Sequence, residues 1–381
     1  MSMVLNEDQT MLQTSARDFC REQAPVAVLR RMRDSADPQG YPQDLWQSMV
    51  ALGWAGMAIP EAYGGFEFGY SGLGIVLEET GRTLVPTPLV STVLLSASAI
   101  NLAGSESQKS DLLPAVAAGD MVIAFALEES ALHNPDHIGM KAVRTASGYT
   151  LTGSKKFVLD ANVADRFLVV ARTSGADTDQ EGISLFLVDA GTPGVSVQNL
   201  RMVDSRNAGN VDFVNVEVPT DALLGTEGDA RDALERTLDI GRIGLAAEML
   251  GSIEEVFARI VEYLQQRTQF GVQIGAFQAL QHRAAIMYSE IELCKSLVRK
   301  ALFELDRADE AEDIPALASM CKAKLSEVAM LVSNEGVQMH GGIGMTDEFD
   351  LGFFLKRARV AQQTLGDAAF HRDRYASIRG F

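Results

Sequence analysis

"AVAAGDMVIAFALE", residues 115–128, is where the chain changes its hydrophobic period. Up to Gly119 apolar residues recur at helical spacing; from Met121 they run as Met121-Val122-Ile123-Ala124-Phe125-Ala126, the pattern of a short buried strand. Before this point everything reads as helix. Asn6 can cap a first helix, Glu7 and Asp8 suit its dipole, and Leu5, Leu12, Ala16 and Phe19 follow at helical intervals. Further helices are predicted over 43–52, 71–83, 88–103 and 107–118, the last closed by Gly119. After it come short strands around Tyr149–Thr152, Phe167–Val170, Ile183–Val188 and Val211–Val216, separated by Gly, Asp and Pro turns. From Asp229 the chain returns to long helices, roughly 229–267, 276–307 and 315–340, with a shorter one over 350–360. The expected fold class is α+β: an N-terminal α-helical domain (1–120), a small β-barrel or sandwich (121–225) and a C-terminal four-helix bundle (226–381).

Composition narrows the function. With 381 residues, 47% hydrophobic and 22% charged, the chain can bury a large core, and its net charge of −18 argues against nucleic acid or an anionic membrane as partner. The one dense basic stretch, Leu29-Arg30-Arg31-Met32-Arg33, is expected to be a solvated helix face. Cys20, Cys294 and Cys321 form no C-x-x-C pair, which fits a reducing compartment, and no signal peptide or membrane span is visible; a cytoplasmic location is expected. His133-Asn134-Pro135-Asp136-His137 has two imidazoles but a helix-breaking Pro and no third ligand, so it reads as a polar loop rather than a metal site. Gly64-Gly65 lacks the context of a phosphate loop and reads as turn glycines.

Two C-terminal constellations could hold a phosphate or dinucleotide. Arg267-Thr268-Gln269-Phe270-Gly271, followed by Phe277-Gln278, offers a planar guanidinium for a pyrophosphate, an aromatic wall and an amide. The alternative is an ion-paired Arg267 and a core Phe270. Gln338-Met339-His340-Gly341-Gly342-Ile343-Gly344 offers glycines that let backbone N–H groups approach an anion, or simply a helix cap and tight turn.

Taken with "LGWAGMAIPEAYGG" (52–65), "YTLTGSKKFV" (149–158) and "ADRFLVVART" (164–173), these stretches resemble the acyl-CoA dehydrogenase family over essentially the whole chain. The resemblance implies FAD, an acyl-CoA substrate, dimers or dimers of dimers, and an electron acceptor that these residues do not specify. It also implies a mechanism in which a carboxylate takes the α-proton of the thioester while the β-hydrogen leaves as hydride to flavin N5. On this resemblance Arg267, Phe270, Gln278, Gln338, Gly341 and Gly342 would grip the ADP half of an FAD whose ring sits in the neighbouring subunit.

On the same resemblance, neither recognised position of the catalytic base holds a carboxylate. Aligned forward from Gly341-Gly342, the family's Glu-Gly-Thr stretch falls on Leu365-Gly366-Asp367, and the rarer base position in "LDIGRIGLA" (238–246) is Gly241. The ring-facing motifs depart too. Glu128 and Asn134 stand where a Thr and a Ser would be, and Phe157-Val158-Leu159 replaces Trp-Ile-Thr. The expectation is a base-less subunit whose homologous partner supplies the Glu, similar to the two-chain enzymes acting on steroid-derived acyl-CoAs. The alternatives are a homo-oligomer with a relocated base, Asp367 or Glu248, or with different acyl-CoA chemistry, and a non-catalytic scaffold.

Overall fold

The computed structural model describes residues 4–66, 68–307 and 313–381. Helices fill the N-terminal part: α1 (Glu7–Gln23), α2 (Val26–Ser35), α3 (Gln43–Ala51), α4 (Gly69–Thr83), α5 (Ser98–Ala103) and α6 (Glu106–Ala117). Asn6 caps α1 as expected, its Oδ1 accepting from Gln9 N at 2.8 Å while Gln9 Oε1 accepts from Asn6 N. The stretch predicted as one helix over 88–103 instead begins as a π-helix, Leu89–Ala97, before α5. Its buried hydroxyls bond out of the helix: Ser96 donates to Ile123 O at 2.8 Å and Thr92 accepts from Ile123 N at 3.2 Å.

Eight strands form one sheet: β1 (Ile123–Ala126), β2 (Lys141–Arg144), β3 (Gly148–Leu159), β4 (Arg166–Arg172), β5 (Ile183–Asp189), β6 (Val195–Arg201), β7 (Asn207–Pro219) and β8 (Leu223–Leu224). Their order is β6-β7-β3-β2-β4-β5-β8, with β1 parallel to β4. Strands far apart in this order share one core. Phe167 of β4 meets Phe213 of β7 edge-on at 6.1 Å, and Tyr149 of β3 meets Phe186 of β5 at 5.0 Å, so the sheet rolls around its buried face. β2 and β6 were not predicted, because their residues are mostly exposed and carry no run of buried apolar side chains.

The C-terminal part contains α7 (Arg231–Gln266), a hairpin of β9 (Thr268–Gln269) and β10 (Val272–Gln273), α8 (Gln278–Asp306), α9 (Ile314–His340), α10 (Leu351–Gln363) and α11 (Ala368–Arg379). The last of these was not predicted. Only His371 of α11 is buried, so its sequence has no apolar stripe.

Two compact units emerge, and they cut across the three sequence segments: 32–69 with 86–241, and 1–31 with 70–85 and 242–381. Within the second unit glycines bring α4 against α7. A Cβ on Gly81 would lie 2.0 Å from Glu248 O and one on Gly251 would lie 1.7 Å from Glu78 O, so the two backbones touch. The basic stretch of α2 is only partly a solvated face: Arg31 is exposed, whereas Leu29 is buried and the half-buried Arg30 is ion-paired with Asp347 and Asp350.

Beside the glycine contact lie Glu78, Glu79 and Glu254, met by Arg17, Arg82 and Lys295. Burial and the neighbouring Glu254 push the Glu78 carboxyl up to about 8, against the pull of Arg82. A carboxyl raised on folding stabilises below its unfolded value of 4.5, and that contribution is lost as pH rises through about 8. Glu78→Gln should therefore flatten this loss. Thermal melts from pH 5 to 9 are expected to show the variant gaining several degrees on the wild type across that range; a constant difference would show that Glu78 does not titrate there.

Candidate functional site

At one end of the helical unit, α7 and α9 finish side by side. The His340 ring, buried, stacks on Tyr263 with centroids 4.3 Å apart, and its Nδ1 lies 2.7 Å from Gly336 O. Burial holds its pKa below the usual value, so it packs here as a neutral ring. This stack brings the two sequence constellations to the same end, since Arg267 follows α7 and Gly341-Gly342 follow α9.

The constellation is open to solvent. Phe270 is 91% exposed at the hairpin tip, with φ of 54° followed by Gly271 at 80°, and its ring meets the edge of Phe277 at 6.1 Å. Among the described residues Arg267 has no carboxylate partner, which removes the ion-paired alternative, and the exposure of Phe270 removes the core alternative. Gln278 and Gln338 are exposed, and a Cβ on Gly341 or Gly342 would meet nothing within 4 Å. Gly341 caps α9 with φ of 62°, so the cap and the open backbone coexist at one residue.

Around position 365 the picture is closed. Leu365 is buried with φ of 59°, a costly conformation for a non-glycine residue, and Gly366 follows at 101°. The turn is held by donors on its carbonyls: His371 Nε2 lies 2.9 Å from Leu365 O, Arg242 Nε 3.5 Å from the same atom, and Lys322 Nζ donates to Gly366 O at 2.8 Å and Gln362 O at 3.0 Å. Burial, reinforced by the Arg242 charge, pushes fully buried Lys322 down to about 7. These holding residues were missed in the sequence; the available cue was a lysine on the apolar face of α9.

Both candidate substitute bases carry structural duties. Asp367 caps α11, its Oδ1 accepting from Phe370 N at 2.9 Å. Glu248 is buried and bidentate with Arg357, at 2.8 and 3.0 Å, so both of its oxygens are taken. Gly241 is buried within α7. Glu248→Ala is expected to cost about 3–5 kcal/mol, because it removes one member of a buried ion pair; Asp367→Ala should cost only about 1 kcal/mol, the worth of a cap. Urea unfolding of the two variants checks the contrast.

In the β unit, the Glu128 carboxylate pairs with His133 Nδ1, and Glu128 O accepts from Lys156 N at 2.6 Å. Next to it, buried Lys155 donates to Glu129 Oε1 at 2.7 Å and to Leu127 O at 3.0 Å, while Gly139 N and Met140 N complete Glu129. Burial opposes ionisation of Glu129, but Lys155 and the two amides outweigh it and hold its pKa below the usual range. β3 bulges between Lys155 and Val158, which leaves Phe157 at φ of 51° and 44% exposed. His137 N bonds back to Asn134 O and Asp136 pairs with Arg231, as in an ordinary turn. Among the described residues no three His, Cys, Asp or Glu side chains could share a metal.

Three family models cover the chain: the acyl-CoA dehydrogenase N-terminal domain over 6–120, the middle domain over 124–216 and the C-terminal domain over 231–378. The chain belongs to the acyl-CoA dehydrogenase family. It is 32% identical over 370 residues to an acyl-CoA dehydrogenase of Bacillus subtilis (strain 168), covering 94% of each. Among solved structures it is similar to a Tcur3481-Tcur3483 steroid ACAD variant (TM-score 0.86, 32% identity, 98% of each chain) and to the ChsE4-ChsE5 complex from Mycobacterium tuberculosis (TM-score 0.89, 25% identity, 100% and 99%). It is thus an acyl-CoA dehydrogenase-type oxidoreductase acting on CH–CH bonds, with FAD as its cofactor. No described helix is long and apolar enough to cross a membrane. The exposed donor set fits FAD: an unpaired guanidinium and open glycine backbone suit a pyrophosphate, and Phe270 offers a face for a ring.

Proposed function

We propose that this chain is the base-lacking subunit of a two-chain acyl-CoA dehydrogenase, contributing the ADP-side grip to FAD while a homologous partner contributes the carboxylate base. The observation that carries this reading is the split in what the chain keeps. Arg267, Phe270, Gln278, Gln338, Gly341 and Gly342 are exposed and available to a neighbour, whereas Leu365 and Gly241 occupy the base positions and the substitutes Asp367 and Glu248 are committed elsewhere.

When bound, FAD would supply the hydride acceptor. This chain's residues do the binding: Arg267 would neutralise phosphate charge, Gly341 and Gly342 would let backbone come close to it, and Phe270 would cover a ring from the hairpin tip. Leu365 would contribute an apolar wall and move no proton. The likeness to a steroid ACAD and to a complex of two named chains supports a bulky acyl-CoA substrate and a heteromeric assembly. A cytoplasmic location accords with three buried, unpaired cysteines. The test is the visible spectrum and native mass of the chain, alone and with a homologous partner.

A further inference from the structure

One residue of the basic stretch of α2 touches the turn beside the glycines. Arg30 reaches the turn that follows the glycines: its Nη1 donates to Asp347 O at 2.6 Å and to Asp347 Oδ2 at 3.2 Å, and its Nη2 donates to Asp350 Oδ1 at 2.9 Å. Asp350 is gripped from the other side by Arg259 of α7 at 3.4 Å, and the Arg30 guanidinium lies 4.8 Å from the centre of the Phe353 ring. Between this clamp and the glycines there is only a short 3₁₀ turn, Gly341–Met345, closed by Thr346, whose N and Oγ1 both donate to Ile343 O.

Two physical consequences follow. Asp347, Glu348 and Asp350 bring three carboxylates into the chain just after the segment that would accept a pyrophosphate, and Arg30 offsets two of them. The same fork also fixes the turn against α2. It acts beside the packing of Phe349 on His340, 4.9 Å between ring centres, and Gly341 and Gly342 themselves face open space where a Cβ would stand.

We propose that Arg30 is a positioning residue for the cofactor-binding glycines: it holds the 341–350 turn in place and cancels the negative charge behind it. This rests on the assignment of Gly341-Gly342 to FAD. The assembled, FAD-stripped enzyme should be titrated with FAD, and amide exchange over 341–346 measured in the same samples. Arg30→Met is expected to raise the Kd for FAD about tenfold and to speed exchange over 341–346, while kcat at saturating FAD stays within about twofold. Arg30→Lys, which keeps the charge and loses the fork, should recover part of the affinity. Asp350→Asn, which cuts the same link from the other side and leaves the Phe353 contact, should also speed the exchange. An unchanged Kd in Arg30→Met, with Gly342→Val abolishing FAD binding, overturns the role of Arg30 and leaves the cofactor assignment standing. Unchanged binding in Gly342→Val removes that assignment and the inference with it.

Discussion

Purified alone, the chain is expected to be nearly colourless and to turn over no acyl-CoA; co-produced with a homologous chain that carries an intact Glu-Gly-Thr stretch, it should form a yellow, active mixed oligomer. A positioned general base contributes about 10² to 10⁴ in rate. Replacing the partner's Glu by Gln should therefore lower turnover by about that factor, while Leu365→Ala in this chain should change it by less than about threefold. Leu365 is buried in a turn whose carbonyls are held by Arg242, Lys322 and His371, so trimming its side chain leaves the turn in place. Absorbance at the flavin band, native mass and steady-state rate read the outcome together. Stoichiometric FAD and full turnover in the chain alone would sink the two-chain reading. A homo-oligomer would then return attention to Asp367, whose cap engages Oδ1 alone, ahead of Glu248, whose two oxygens are both held by Arg357.

Gly342→Val is expected to abolish FAD retention in the assembled enzyme, weakening it at least about a hundredfold, while leaving the melting temperature of the FAD-free protein nearly unchanged. The two readouts separate because of the local geometry. A Cβ at Gly342 would meet nothing within 4 Å, so the folded chain accepts one; on the proposed assignment the same Cβ would fill the space through which a phosphate approaches the backbone. Gly341 is a poorer probe, since its φ of 62° would strain a branched residue whatever the ligand does. FAD retention through gel filtration, with a melt of the same sample, is sufficient. Retained FAD would place the cofactor grip elsewhere.

Much of this protein is legible in one dimension. The change of period at Met121 and its reversal after Asp229 are local properties of side-chain spacing, and they match a sheet from Ile123 onward and the long α7, α8 and α9. The misses have a common cause. β2, β6 and α11 are held by neighbours rather than by a buried apolar face of their own, so no local pattern announces them. The π-turned start of the 88–103 helix carries hydroxyl bonds to Ile123, about thirty residues downstream, which no local pattern shows.

The site divides in the same way. Which residue stands at 365, at 241 and in the glycine run is written in the chain, and with it the leucine and glycine that the family resemblance sets at the base positions. Exposure and pairing are not written there. That Phe270 projects into solvent, that Glu248 is spent on Arg357 109 residues away, and that Arg30 clamps Asp350 across 320 residues were decided by packing. A charge or an aromatic ring has the same identity in any fold. What it does depends on the partners that tertiary contacts bring within a few ångströms, and on how much water those contacts remove.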